Sequence, residues 1–219
     1  MVTYLDIEKW HRRPIFHFFK GYDNPYFNVC AQVDVTALLR LTREAQGLSF
    51  TLAYHFIVLK VVNELEPFRY RLRDGRVLVY ERIDAGTTVL LDDGRFRFCY
   101  FDYDEDFSRF QAGARRAFEQ ARAASDSFEM GEDGRDDVIH CSVLPWVSFT
   151  SVSHARRWST EDSVPKMSFG KHYEDGGIIK MPLSVEVHHA LMDGLDVGHY
   201  FERVGAYFSD PSGLLGHRS

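Results

Sequence analysis

The segment that most constrains the fold is an apolar stretch between Ser49 and Leu65. Its apolar residues cover most of the circumference of a helix, and Pro67 prevents that helix from continuing. A helix that is apolar on nearly every side is expected to be almost completely buried, so other elements must pack around it. The 219 residues permit a substantial core, and we expect residues 1–219 to form a single domain.

Two Asp-Gly pairs predict β-hairpins, because both residues tolerate the turn that joins antiparallel strands. They are Asp74-Gly75 and Asp93-Gly94, each flanked by strand-like residues. Further strands are predicted at 26–33, 138–151, 166–173 and 178–188, and further helices at 36–47, 107–121 and 196–208. Frequent hairpins among helices favour an α/β fold with a mixed, mostly antiparallel sheet covered by helices over a purely parallel sheet.

The composition excludes several functional classes. The chain has 26 Lys and Arg against 32 Asp and Glu, a net charge of −6, which opposes nucleic-acid binding. No run approaches the ~20 apolar residues of a membrane span, and the N-terminus lacks the pattern of a signal peptide. The three cysteines show no C-x-x-C spacing, so we expect a cytoplasmic protein in a reducing environment.

The most informative segment for function runs from Val185 to Gly194. An alternating strand ends there in His188 and His189, which point to opposite faces because successive strand residues alternate. We predict that His189 faces the pocket. A neutral imidazole can accept a proton from a reacting hydroxyl, and such general-base catalysis contributes roughly 10²–10⁴ in rate.

Other readings of this segment remain open from the residues alone. The two histidines could be structural, or could form a metal site with Asp193. No metal is expected, because adjacent strand histidines diverge and no H-E-x-x-H helix completes a ligand set. Cys30 and Cys141 could carry an acyl group, but neither has a paired base in its sequence context.

The segment His188–Gly194, followed by Val197-Gly198, resembles the active-site motif of the chloramphenicol acetyltransferase family. The wider group of CoA-dependent acyltransferases shares the pattern H-x-x-x-D-G. Three further segments resemble the same family, in order along nearly the whole chain: Asp6–Arg13, Leu144–Phe149 and Met181–Leu183. The resemblance implies a two-layer CoA-dependent acyltransferase fold and a homotrimer with active sites at the subunit interfaces.

The resemblance also implies a reaction and the residues that perform it. Acetyl-CoA, the acyl donor, and chloramphenicol would meet in a ternary complex without an acyl-enzyme, with antibiotic resistance as the biological role. His189 matches the general base, and Ser142 matches the serine that hydrogen-bonds the oxyanion. Asp193 matches an aspartate that pairs with an arginine, here Arg12, to hold the architecture of the site.

The residues of the acceptor pocket match the family less closely than the catalytic residues do. The resemblance assigns five residues to the acceptor: Phe19, Phe27, Val152, His154 and Ser168. Val152 and His154 stand where the family has Phe and Leu, and a histidine in an apolar wall needs a hydrogen-bond partner. Trp146 and Lys171 are assigned to CoA. The alternatives are a related acyltransferase with another hydroxyl or a thiol acceptor, and a non-catalytic trimeric binding protein.

Overall fold

The computed structural model describes residues 2–124, 135–156 and 162–216. The α-helices are α1 Arg13–Phe19, α2 Thr36–Glu44, α3 Phe50–Glu64, α4 Phe107–Ala123 and α5 Gly194–Ser209. Short 3-10 helices occupy Ile7–Lys9 and Glu66–Arg69. The strands are β1 Val2–Tyr4, β2 Tyr26–Asp34, β3 Tyr70–Arg73, β4 Arg76–Tyr80, β5 Asp84–Leu90, β6 Phe96–Phe101, β7 Val138–Leu144, β8 Lys166–Gly170, β9 Tyr173–Asp175 and β10 Ile178–His188. None of the helices in these ranges is long and apolar enough to cross a membrane.

The strands of the described residues form one large and one small sheet. The large sheet has the order β2-β10-β8-β7-β5-β6, and β9 also pairs with β10. Strand β7 pairs in parallel with β5 and with β8, and the other described pairs of this sheet are antiparallel. The small sheet has the order β1-β4-β3. The predicted mixed, mostly antiparallel sheet covered by helices is confirmed.

Helix α3 lies at the centre of the core, as its apolar circumference predicts. Ser49 caps it, accepting a hydrogen bond from the backbone N–H of Leu52 at 3.4 Å. Its side chains from Leu52 to Leu59 are all buried, and those other than His55 belong to one hydrophobic cluster with residues from α2, α4, α5 and the large sheet. Burial on all sides explains why this segment carries so few charges.

Both predicted hairpins are present. Strand β3 pairs with β4 across Asp74-Gly75, and β5 pairs with β6 across the turn that contains Gly94. Asp74 has φ 52° and Gly75 φ 70°, a left-handed pair that Asp-Gly adopts at low cost. The turn residues alone are therefore sufficient to locate these strand pairs.

The predicted strand over 138–151 is too long. Strand β7 ends at Leu144, and a turn follows at Pro145 and Trp146. Proline cannot donate a backbone hydrogen bond to a neighbouring strand, which ends the pairing there. Trp146 then lies outside the sheet with 65% of its surface exposed.

Strand β10 separates two environments. Leu183, Val185 and Val187 are buried in the apolar core on one face. Because side chains alternate, Ser184, Glu186 and His188 point to the opposite face. Register continues this polar face onto the neighbouring strands: Ser184 pairs with Ser168, and Ser168 pairs with Ser142. The polar face carries much of the candidate site.

Candidate active site

The turn after β10 holds His189 and Asp193 in fixed positions. The backbone N–H groups of Leu191 and Met192 both donate to the carbonyl of His188, at 3.0 and 3.1 Å. Asp193 then caps α5, accepting from the backbone N–H of Leu195 at 2.9 Å. The Asp196 side chain accepts from the Asp193 N–H in return, which completes a capping box.

The His189 ring lies against two aromatic rings and has one committed nitrogen. It stacks on Phe19 with centroids 3.9 Å apart and planes at 10°, and the Phe27 centroid is 4.7 Å away. Its Nδ1 lies 3.1 Å from the carbonyl oxygen of Met192. A carbonyl only accepts hydrogen bonds, so this contact places the ring proton on Nδ1. The unprotonated Nε2 is therefore available to accept a proton.

His188 has different surroundings from its neighbour. Its ring is buried, and its Nδ1 accepts a hydrogen bond from the backbone N–H of Ala190 at 3.2 Å. Burial, followed by the positive charge of Arg156, lowers the pKa of His188 to about 4. No three His, Cys, Asp or Glu side chains within the described ranges are placed to hold a metal ion.

Arg12 connects the N-terminal segment to both site residues of this turn. It forms an ion pair with Asp193, and its Nη2 also donates to the carbonyl of His189 at 3.4 Å. The Arg12 side chain is 9% exposed and that of Asp193 34%. Burial alone raises the pKa of Asp193, but hydrogen bonds from Arg12 and the Leu195 N–H outweigh it and hold the pKa below its usual value.

We expect the Arg12–Asp193 pair to stabilise the fold in a pH-dependent way. Asparagine at 193 can still cap α5 but carries no charge, so Asp193→Asn should lower the free energy of unfolding by about 1–2 kcal/mol at neutral pH. Because the folded pKa of Asp193 is lowered, this contribution is present above the unfolded pKa and is lost as the pH falls through the folded pKa. Urea unfolding of both proteins at several pH values measures the difference.

The matched control is Asp106→Asn at the N-cap of α4, where Asp106 accepts from the backbone N–H of Arg109. The Asn side chain can keep that cap, so this change should cost less than about 0.5 kcal/mol. A pH-independent cost of Asp193→Asn would contradict a role for the charge pair.

The remaining predicted site residues form a second group on the polar face. Ser142 on β7 lies beside Ser168 on β8. The Nε2 of His154 lies 2.9 Å from the Ser168 hydroxyl oxygen, and Val152 is half-buried nearby in sequence. Ser168 has 0% of its surface exposed, so in this chain His154, not Ser168, faces outward. The assignment of Ser168 to the acceptor stays a prediction.

Within one chain, His189 lies far from Ser142. Ser184 lies level with Ser168 and Ser142 in the sheet, and His189 follows five residues further along. With a rise of ~3.3 Å per residue and ~4.8 Å between strands, the backbones of His189 and Ser142 are roughly 20 Å apart. A single small substrate cannot contact both residues of the same chain.

Trp146 and Lys171, both predicted to bind CoA, lie on neighbouring segments of one exposed surface. The backbone N–H of Lys171 donates to the carbonyl of Val147 at 2.9 Å, and the Ser148 hydroxyl donates to the carbonyl of Lys171 at 2.7 Å. Both side chains are exposed, and an indole and an ammonium group can contact the base and the phosphates of a nucleotide. These two residue types are compatible with binding of CoA.

Two further residues of this face, Glu186 and Arg156, were not predicted from the sequence. Glu186 lies on the polar face of β10 and accepts a hydrogen bond from the Nε of Arg156 at 2.6 Å. Arg156 also stacks over the ring of Tyr26, with its guanidinium carbon 3.9 Å from the centroid. A glutamate between Val185 and Val187 in a strand of the core was the available signal, because a buried charge requires a partner.

Comparisons with known proteins agree on one family. The family described as chloramphenicol acetyltransferase matches residues 1–204. A chloramphenicol acetyltransferase of Proteus mirabilis is 26% identical over 207 residues, covering 94% of each chain. One of Clostridium perfringens is 28% identical over 218 residues, covering 98% of each chain.

Solved structures show the same likeness. A structure described as chloramphenicol acetyltransferase superposes with a TM-score of 0.88 and 29% identity, covering 95% of this chain and all of the other. A dihydrolipoamide acetyltransferase of Azotobacter vinelandii superposes with a TM-score of 0.67 and 18% identity, covering 92% and 88% of the two chains. At that identity the second likeness concerns the fold alone.

Proposed function

The chain belongs to the chloramphenicol acetyltransferase family, and we propose that it transfers the acetyl group of acetyl-CoA to a hydroxyl of chloramphenicol. The strongest support for this proposal is the tautomer and the fixed orientation of the His189 ring. Its Nδ1 proton is held by the Met192 carbonyl, and its ring is fixed against Phe19. This arrangement leaves Nε2 as a base at the end of a rigid strand.

The proposed step needs a base and an oxyanion donor. His189 Nε2 accepts the proton of the acceptor hydroxyl while the hydroxyl oxygen attacks the thioester carbonyl. The carbonyl oxygen gains negative charge, and the hydroxyl of Ser142 donates a hydrogen bond to it. The carbon–sulfur bond then breaks, the thiolate of CoA receives the proton, and the acetyl ester leaves with the acceptor. No acyl group is attached to the protein.

We propose that each active site is formed by two chains of a homotrimer. The ~20 Å between His189 and Ser142 within one chain supports this, because both residues must reach the same carbonyl group. In a cyclic trimer, His189 of one chain can approach Ser142 of the next. Arg12 and Asp193 hold the His189 turn in the orientation that this approach needs.

The donor side of the proposed site uses Trp146 and Lys171. Lys171 would meet the CoA phosphates and Trp146 would cover the nucleotide, and CoA supplies the activated thioester when it is bound. We propose the cytoplasm as the compartment, since acetyl-CoA is made inside cells. The free cysteines Cys30, Cys99 and Cys141 are compatible with a reducing environment.

A thiol-release assay tests the proposed function. Purified protein, acetyl-CoA and chloramphenicol are mixed, and free CoA is followed with a chromogenic disulfide. We expect release that depends on chloramphenicol, with one acetylated product formed for each thiol. No release, in a protein that still binds CoA by calorimetry, would contradict chloramphenicol as the acceptor and direct the search to other hydroxyl or thiol acceptors. Absence of CoA binding as well would favour a different, non-catalytic role.

A further inference from the structure

Glu186 joins two side chains that come from the irregular segment Val152–Arg156. Its Oε1 accepts from the Nε of Arg156 at 2.6 Å, and its Oε2 lies 3.6 Å from the Nδ1 of His154. Burial alone raises the pKa of Glu186, but contacts with His154 and Arg156 outweigh it and lower the pKa to about 2. The carboxylate is therefore charged, and it anchors the segment to β10.

The charge of Glu186 decides which nitrogen of His154 carries the proton. A carboxylate favours the N–H form of the nitrogen that faces it, here Nδ1. The unprotonated Nε2 then accepts a hydrogen bond from the Ser168 hydroxyl at 2.9 Å. Nδ1 has no exposed surface, and Ser168 is fully buried. Nδ1 faces the buried Glu186 and Nε2 is hydrogen-bonded to the buried Ser168, so both nitrogens point into the protein.

Ser168, His154 and Glu186 follow the order of a nucleophile, a base and an orienting acid. A nucleophilic role for Ser168 does not fit the geometry. The serine has no exposed surface beneath His154, so an acyl group cannot reach its hydroxyl. The 3.6 Å between Glu186 and His154 is also longer than a hydrogen bond, which leaves an electrostatic contact that orients the ring.

The charges around His154 are compensated. Arg156 pairs with Glu186 and with Asp162, 3.2 Å away, and Asp162 also pairs with the Nζ of Lys166 at 3.5 Å, so two carboxylates face two cations. The guanidinium also covers the ring of Tyr26, and the Arg156 side chain is 2% exposed. A pocket wall formed by Val152 and the ring carbons of His154 favours an apolar or aromatic group over a charged one.

We propose that Glu186 is a positioning residue that turns both nitrogens of His154 away from the acceptor, so that this site selects an aromatic, weakly polar alcohol over a polyhydroxylated or charged one. The inference rests on the proposed function and on the family resemblance that assigns Val152 and His154 to the wall of the acceptor pocket. The hydrogen-bond partner that a histidine in an apolar wall needs is here the buried Ser168. The histidine acts toward the acceptor as an apolar side chain.

Glu186→Gln tests the inference in the full-length protein. The amide keeps the shape of the side chain but presents an N–H to partners that are themselves donors, so the His154 ring loses its orientation. We expect KM for chloramphenicol to rise about tenfold, and its binary Kd to rise with it, while kcat changes less than about twofold. Glu174→Gln is the matched control, because Glu174 is an exposed glutamate on the adjacent β9. Glu174→Gln should leave KM, Kd and kcat unchanged.

A double-variant cycle tests whether Glu186 acts through His154. KM is measured for His154→Leu and for His154→Leu combined with Glu186→Gln. We expect the glutamine to change KM by less than about twofold in the leucine background, because the side chain through which it acts is gone. A tenfold rise in that background as well would overturn the proposal, since Glu186 would then act through Arg156 or the fold.

The tautomer of His154 gives a readout that does not depend on turnover. Nitrogen-15 NMR of histidine-labelled protein should show His154 protonated at Nδ1 and unprotonated at Nε2, and Glu186→Gln should remove this preference. An Nε2–H form in the unmodified protein would overturn the proposal, whatever the activity. If the protein neither binds nor acetylates chloramphenicol, the proposed function and the acceptor preference fail together, and the NMR result alone then decides the positioning role.

Discussion

Replacing His189 with alanine should lower kcat for acetyl transfer to chloramphenicol by up to about 10⁴-fold. The methyl group cannot accept the hydroxyl proton, so the oxygen would have to attack as a neutral alcohol. The fold should persist, because the His189 ring is only half-buried and the turn is held by backbone hydrogen bonds and by Arg12. Thiol release at saturating substrate measures kcat, and thermal unfolding measures stability.

The control for this variant is His17→Ala. His17 lies on α1, two residues before Phe19, and its side chain is exposed. It should keep the rate of the unmodified protein and a similar Tm. Turnover by His189→Ala at the rate of the unmodified protein would remove the general-base assignment. A large loss of Tm would show instead that His189 is structural.

Ser142→Ala should lower kcat by about 10²–10³-fold, the usual effect of removing one oxyanion donor. The hydrogen bond from Ser142 strengthens as charge develops on the thioester oxygen, so its loss affects the transition state more than the bound substrates. KM for acetyl-CoA should therefore change little. The same thiol-release assay, run over a range of both substrates, separates kcat from KM.

Ser153→Ala is the control for the serine variant, because Ser153 is exposed on the segment that carries His154. We expect it to change kcat by less than about twofold. A similarly small effect of Ser142→Ala would contradict the oxyanion assignment. A larger loss than that of His189→Ala would indicate that Ser142 also supports the fold or the interface.

Local chemistry made much of the fold predictable. The Asp-Gly turns locate β3–β4 and β5–β6 because a left-handed turn needs those residue types, and the apolar surface of α3 requires burial. The end of β7 was predicted too late, because apolar residues continue past Pro145 although strand pairing does not. Hydrophobic pattern alone does not locate a strand end.

The candidate site was only partly predictable, because its contacts join distant parts of the chain. Arg12 and Asp193 are 181 residues apart, and the expectation that they pair came from a family resemblance. Glu186 was read as one residue of an alternating strand. Its partners, His154 and Arg156, come from an irregular segment whose path no periodicity describes. The roles of His189 and Ser142 stay predictions until the variants are measured.

The separation of His189 and Ser142 was not visible in the sequence. It depends on the order β10-β8-β7 and on a register that places Ser142 level with Ser184. Strand order and register are set by packing across the whole sheet. Because of them, the base of one chain is proposed to act with the oxyanion donor of another.

Mixed oligomers of His189→Ala and Ser142→Ala chains test whether an active site is shared between two chains. His189→Ala and Ser142→Ala chains are co-expressed in equal amounts with different affinity tags, and the doubly tagged oligomers are assayed for thiol release. Each mixed trimer has one interface where an intact His189 meets an intact Ser142, so we predict about one third of the unmodified rate. Activity no higher than that of either variant alone, in trimers shown to be mixed, would contradict a site shared between chains.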